Sequence, residues 1–272
     1  MTANVQASSR PAAVTTADDG REARYRVELV ENPSELPLDR ADVINAEVAE
    51  LACRACGGDA ENEEQAQAIR AGWQAYCMNP GGRSQDYDRL GLVWAEDRLA
   101  GFTGWCVEQL EPDITVLWFK AAGIDPSDHG RGAFAAARDI TADLRWMTSF
   151  GAPTYFVMRT PNPLIYDTCK RWWNRYPDFW RRYFPKIGED GRMEPLGDED
   201  RETAIRIATG LWPDCEFDPG CFAVRDFLGE YGRDIWNVET PHTADPGTTK
   251  FFKDNLRGDN QDALMTAVLF YE

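Results

Sequence analysis

The sequence has little positive charge, almost no histidine and no long apolar run. Lysine and arginine number 29 against 46 aspartate and glutamate, a net charge of −17 at neutral pH. That balance disfavours a nucleic-acid partner, whose phosphate backbone needs clustered cations, and disfavours an anionic membrane surface for the same reason. No apolar run approaches the roughly 20 residues of a membrane-spanning helix. Residues 1–23 have neither an apolar centre nor an early basic cluster, so a disordered tail is expected there rather than a signal peptide. The two histidines, His129 and His242, do not stand at metal-ligand spacing from Cys53-x-x-Cys56, and no metal site is expected. The cysteines number seven, an odd count in a chain that is not small. Reduced thiols and a cytoplasmic location follow as the expectation. No internal repeat is visible.

What is present is ample material for a core: 272 residues, 43% hydrophobic, with ten tryptophans. Polar–apolar alternation predicts a first strand over 24–30. Helical spacing predicts helices over 38–55 and 62–77, with Gly57-Gly58 between them and a break at residues 79–82. Strand signals follow over 90–95, 99–109 and 114–124, joined by the turns at 96–98 and 111–113, an antiparallel meander. Phe134, Ala137, Ile140, Leu144 and Met147 mark one face of a single further helix, which residues 150–153 end. A short apolar strand is expected over 154–158, then a helix opened by Asn162-Pro163. Beyond residue 185 the pattern is less regular: a helix with an acidic first turn over 198–212, and a strand at the end of 259–271.

Between the meander and the next helix the sequence reads GIDPSDHGRGAFAAA, residues 123–137. Gly130 and Gly132 just ahead of a helix can be a plain tight turn. They can also be an anion cradle, because glycine lets backbone approach a ligand and the free amides of a helix start point at it. Neither common nucleotide motif fits. Residue 135 is alanine where a dinucleotide fold needs the third glycine of G-x-G-x-x-G, and the Gly-Lys-Ser/Thr of a P-loop is absent.

The order of elements resembles the GNAT acyltransferase family. Its pyrophosphate motif, V-x-P-x-x-R-G-x-G-x-G, is matched in register by Ile124, Pro126, Gly130, Arg131 and Gly132. His129 stands where the family usually has Arg or Gln, and Phe134 where it usually has Gly or Ala. The resemblance covers about residues 24–185, leaving 186–272 as an α+β C-terminal extension. It implies an α/β (α+β) fold with a mixed central sheet flanked by helices. It further implies that backbone amides of residues 130–134, with Ala133 and Phe134 among them, hold the pyrophosphate of acetyl-CoA or another acyl-CoA. Backbone groups near Ala122, Gly123 and Ile124 would pair with the pantetheine arm, in a notch where the strand before the turn splays from the strand at 154–158. In the family an Asn after that second strand opens a helix near the cofactor, and Asn162 matches it. A Tyr about seven residues later often protonates the departing thiolate. Here that position is Cys169, and the tyrosine is Tyr166, one helical turn away. Either can be the acid, or both can be core residues of an amphipathic helix.

Direct acyl transfer to an amine asks for a carboxylate base. Glu108, Glu111 and Asp113 lie at the ends of the meander, with Glu108 favoured because its strand also carries Trp105 and Cys106. The aromatic belt from Trp172 to Phe184 can fasten the C-terminal extension or wall an acceptor pocket. Arg171, Arg175, Arg181 and Arg182 place positive charge beside it, suited to the CoA 3′-phosphate or to an acidic acceptor. The expected activity is acyl-CoA-dependent N-acyl transfer to a small-molecule amine. The other expectations are a GNAT-like enzyme with different acyl-thioester chemistry (O-acyl transfer, a carrier-protein donor, thioester cleavage) and a non-catalytic acyl-CoA-binding module.

Overall fold

The structure, a computed structural model, describes residues 25–55, 63–64, 66–67, 87–141, 143–150, 153–226, 245–257 and 262–270. The expected tail at 1–23, most of the helix expected over 62–77, the break at 79–82 and His242 lie outside the described residues. The architecture is mixed α/β. Two compact units divide the chain: Met1–Val107 with Phe119–Asp143, and Glu108–Trp118 with Leu144–Glu272.

The first unit holds β1 (Arg26–Glu31), α1 (Leu38–Ala55), β2 (Arg89–Ala95), most of β3 (Arg98–Glu111), the second half of β4 (Ile114–Ile124) and α2 (Ala133–Thr141). Strands pair in chain order. β1 and β2 are antiparallel with Val27 opposite Val93, and β2 and β3 are antiparallel with Leu92 opposite Phe102. A bulge falls between Val93 and Trp94, where β2 is otherwise one continuous apolar run. Along α1, Ala41, Ile44, Val48, Leu51 and Ala52 are buried, the three-and-four spacing that covers one helix face. α2 lies against β1 and β2 with Ala133, Ala137 and Thr141 buried, each one turn from the last.

The single helix expected from Phe134 to Met147 is interrupted. α2 stops at Thr141, and Leu144–Met147 is a separate short helix, α3. Thr141 is the last residue of α2 and is fully buried. Its hydroxyl sits 2.8 Å from the Ala137 carbonyl, 3.2 Å from that of Arg138 and 3.0 Å from the Thr103 hydroxyl. Of these carbonyls, only that of Arg138 is among the last four that the helix end leaves open.

In the second unit β5 (Thr154–Thr160) is followed by α4 (Pro163–Arg175), β6 (Trp180–Phe184), α5 (Asp198–Leu211), β7 (Phe217–Asp218), β8 (Ala223–Val224), α6 (Pro246–Asn255) and β9 (Ala263–Phe270). β9 is buried along its whole length and is the axis of this unit. One edge pairs antiparallel with β5, Val157 opposite Ala267. The other edge pairs with β6 near Val268 and with β8 at Ala263 and Leu264. Two-sided burial explains why its sequence, ALMTAVLF, is continuously apolar rather than alternating. Tyr166, Phe184, Ile207, Phe222, Phe251 and Phe252 belong to the core packed around it. The aromatic belt is part of this packing: Trp180 stacks on Phe270 at 4.7 Å and lies 5.4 Å from Trp172.

Asp262 anchors the start of β9. It is 1% exposed, and its carboxylate accepts from Arg225 Nη1 at 2.6 Å and from the Arg257 amide and Nε at 3.0 Å each. Burial pushes this carboxyl up, and the bonds from Arg257 and Arg225 more than offset that, leaving it at about 2. Asp262→Ala would remove the carboxylate that Arg225 and Arg257 share, leaving them Asp218 and Asp226 respectively, and would leave the Arg257 and Asp226 amides without their acceptor. The expected outcome is a loss of about 3 kcal/mol, read as a lower denaturant midpoint at unchanged slope.

Candidate functional site

After β4 the chain enters a short turn of 3-10 helix, Pro126–Asp128, with Asp125 as its cap. Proline presets the first position, and the Asp125 carboxylate accepts from the Ser127 amide at 3.0 Å and its hydroxyl at 2.6 Å. The Asp125 amide in turn donates to the Ala100 carbonyl at 2.9 Å, fixing the end of β4 to β3. Amides of Asp128 and His129 donate back to Asp125 and Pro126, and that of Arg131 donates to Asp128 at 3.2 Å. Gly130 and Gly132 then take φ of 70° and 92°, the left-handed region that glycine enters without a Cβ penalty. A Cβ on either would meet nothing within 4 Å, so backbone conformation and not crowding sets the residue type. The first helical bond of α2 runs from the Ala136 amide to the Gly132 carbonyl at 2.9 Å. The amides of Ala133, Phe134 and Ala135 therefore precede the helical ladder, and the positive end of the helix dipole lies with them.

One amide of the expected set has a partner within the turn. Arg131 lies in the turn, but its amide serves the Asp128 carbonyl. The His129 Nε2 lies 3.2 Å from the Ile124 carbonyl, which ties the imidazole to the end of β4. Phe134 is half-buried, its ring edge-on to Phe119 at 6.2 Å, and Phe119 lies 4.9 Å from Trp105. Ala122, Gly123 and Ile124 are half-buried at the end of β4, in line with the turn.

Two buried carboxylates in a turn that leads into a helix start need an explanation, and the geometry supplies it. Asp125 and Asp128 are each 4% exposed. Arg98 bridges them, with Nη1 2.8 Å from Asp125 and Nη2 2.6 Å from Asp128. Arg54, in the last turn of α1, adds a 2.7 Å bond from Nε to Asp125, and the Tyr25 hydroxyl donates to Asp128 at 2.9 Å. Burial pushes the Asp125 carboxyl up, but the bonds from Ser127 and Arg54 and the charge of Arg98 hold it at about 2. Asp128 is also held below the ordinary carboxylate range: burial raises it, and Arg98 and Tyr25 outweigh that. Sequence reasoning missed Tyr25, Arg54 and Arg98. The signal available was indirect: an acidic pair inside an anion turn requires cations from elsewhere in the chain.

The remaining expected residues lie in the second unit. Asn162 caps α4, its Oδ1 accepting from the Leu164 amide at 2.9 Å, and Pro163 takes the first helical position. Tyr166 is fully buried and its hydroxyl donates to the Pro185 carbonyl at 3.1 Å. Burial drives this phenol well above its usual range. Cys169 is 2% exposed on the same face. Of the two readings open for this pair, the geometry favours core residues. Among the three carboxylates of the meander, Glu111 and Asp113 both engage Arg206. Its Nε lies 3.1 Å from each Glu111 oxygen and its Nη2 2.9 Å from Asp113. The bond from Arg206 holds the Glu111 carboxyl low, which makes it a weak base. Glu108 is exposed near the end of β3. Arg171, Arg175 and Arg181 are exposed, whereas Arg182 pairs with Glu199 and Asp200. Among the described residues no group of three or more His, Cys, Asp or Glu is placed to hold a metal ion.

No protein-family model matches the sequence, and no curated protein matches it significantly. Solved structures do. The chain is similar to acetyltransferases of the GNAT family. One is a proposed GNAT-family acetyltransferase from Desulfovibrio desulfuricans, at 15% identity over 58% of this chain and 88% of that one, with a TM-score of 0.31. A proposed acetyltransferase from Pyrococcus horikoshii is 15% identical over 65% of this chain and 99% of its own, with a TM-score of 0.34. The acetyltransferase of GNAT family from Streptococcus pneumoniae is 11% identical over 58% of this chain and 88% of its own, with a TM-score of 0.32.

The Asp125 pairing gives a pH signature. Its folded pKa, about 2, lies below the ordinary 3.8. The stability it contributes is therefore complete above about pH 4 and is lost as pH falls through 2. Acid unfolding of Asp125→Asn, followed by circular dichroism, is expected to show a shallower loss of stability across that window than the parent chain.

Proposed function

We propose that the chain transfers the acyl group of an acyl-CoA, most simply acetyl-CoA, to the amine of a small molecule. The observation that carries this is the turn. Gly130 and Gly132 both adopt left-handed backbone at the mouth of α2, while the two carboxylates beside them are drawn inward. The cradle offers the amides of Gly130, Gly132, Ala133 and Phe134 to the CoA pyrophosphate, with the exposed Arg131 side chain as a further donor. Asn162 shapes the start of α4 in the role the family motif gives it.

In the reaction the amine nitrogen attacks the thioester carbonyl carbon, the carbon–sulfur bond breaks, and the sulfur leaves as a thiolate. The amine proton passes to a carboxylate, for which Glu108 is the candidate, directly or through water. Holding amine and thioester together supplies much of the rate. The burial of Tyr166 favours a second reading, a module that binds acyl-CoA without turnover.

Acetyl-CoA at 100 times its Kd is expected to add about 2.7 kcal/mol to native stability, a rise in Tm of about 5 °C. Absence of any shift with acetyl-CoA, longer acyl-CoAs and free CoA would overturn both readings. Gly132→Asp sets a side chain at φ 92° and a carboxylate beside the phosphates. It should abolish the shift while the far-ultraviolet spectrum stays native. Thiol release with a panel of amines then separates transferase from binding module.

A further inference from the structure

Asp125 and Asp128 stand within the turn that precedes the proposed phosphate-binding amides, and a dianionic ligand could not approach them uncompensated. Arg54 and Arg98 bring two positive charges to these two negative ones. Each carboxylate is 4% exposed, while both guanidinium groups reach solvent, so the pairing stands at the boundary of protein and water. Neither arginine is adjacent in sequence: Arg54 ends α1 and Arg98 begins β3. Arg98 is the shared partner, one nitrogen to each carboxylate, and is itself half-exposed.

We infer that Arg98, assisted by Arg54, is a charge-masking residue for the acyl-CoA site: it neutralises the turn's own carboxylates so that the amides beyond them can take pyrophosphate. The inference rests on the acyl-CoA reading and deepens it. Arg98 touches no ligand in this scheme. Its bonds are to Asp125 and Asp128, and its effect on binding passes through their charge.

The scheme separates charge from shape. Arg98→Ala leaves Asp125 paired with Arg54 and exposes one net negative charge at Asp128. Adding Asp128→Asn removes that charge and keeps an oxygen to accept from the Tyr25 hydroxyl. Binding of free CoA is measured by calorimetry on the full chain, at low salt and again with salt added, beside the Tm of each variant. Arg98→Ala is expected to bind CoA about tenfold more weakly at low salt, with the deficit shrinking as salt shortens the Debye length from about 30 Å at 0.01 M to about 10 Å at 0.1 M. The double variant should regain most of the affinity whether or not it regains Tm. Asp128→Asn alone should bind CoA several-fold more tightly than the parent, which keeps the test open should Arg98→Ala fail to fold.

Parent chain that binds no CoA would overturn the acyl-CoA reading and this inference with it. Parent chain that binds CoA, with Arg98→Ala within twofold of it, would overturn the inference alone. So would a folded double variant as weak as Arg98→Ala, which would assign Arg98 to the shape of the turn, or an Asp128→Asn affinity equal to the parent's.

Discussion

A turn that gathers amides on one side has to dispose of its carboxylates on the other. In this chain the constraint is met by the bridge from Arg98 to Asp125 and Asp128. With the two aspartates held inward, the Asp125 cap can fold the short turn, the turn can deliver Gly130 and Gly132 at left-handed φ, and α2 can start with its first amides ahead of the helical ladder. The same bridge reaches back to α1 through Arg54 and to the start of β1 through Tyr25. The local conformation of fifteen residues thus depends on contacts made across most of the first unit.

The second unit is organised by a different constraint, the burial of β9 on both edges and both faces. A strand so placed needs an apolar sequence and a polar anchor at its end, because its first backbone groups emerge from the sheet. Asp262 is that anchor, held by Arg225 and Arg257. The carboxylate, though 1% exposed, meets two guanidinium groups and two backbone amides, so its desolvation is offset by charge and by hydrogen bonds together.

Where the determinants were local, the sequence disclosed the structure closely. The proline at 163 and the side chain of Asn162 specify how α4 begins, and both are legible without tertiary information. The glycine turn was visible because positive φ leaves a residue-type signature. The partners of Asp125 and Asp128 were not visible, since Arg54 is 71 residues from Asp125 and Arg98 is 30 from Asp128. No periodicity links such positions. The pairing of β9 with β5 is hidden for the same reason. The break between α2 and α3 was not legible because the apolar spacing runs through it unbroken.

Tyr166 shows what an alignment of motifs can and cannot transfer. Its side chain donates to Pro185 in the interior, and burial makes the phenol a poorer acid than a free tyrosine. The transferase reading therefore has to proceed without it, whereas the binding-module reading needs no acid at all. A thiolate is a far better leaving group than an amide or alkoxide ion and can take its proton from water after the carbon–sulfur bond has broken. The demanding step is delivery of a neutral amine to the carbonyl, where positioning and a base act. On the proposed reading the turn at residues 125–134 is what fixes the donor, and the buried Tyr166 serves the core of the second unit.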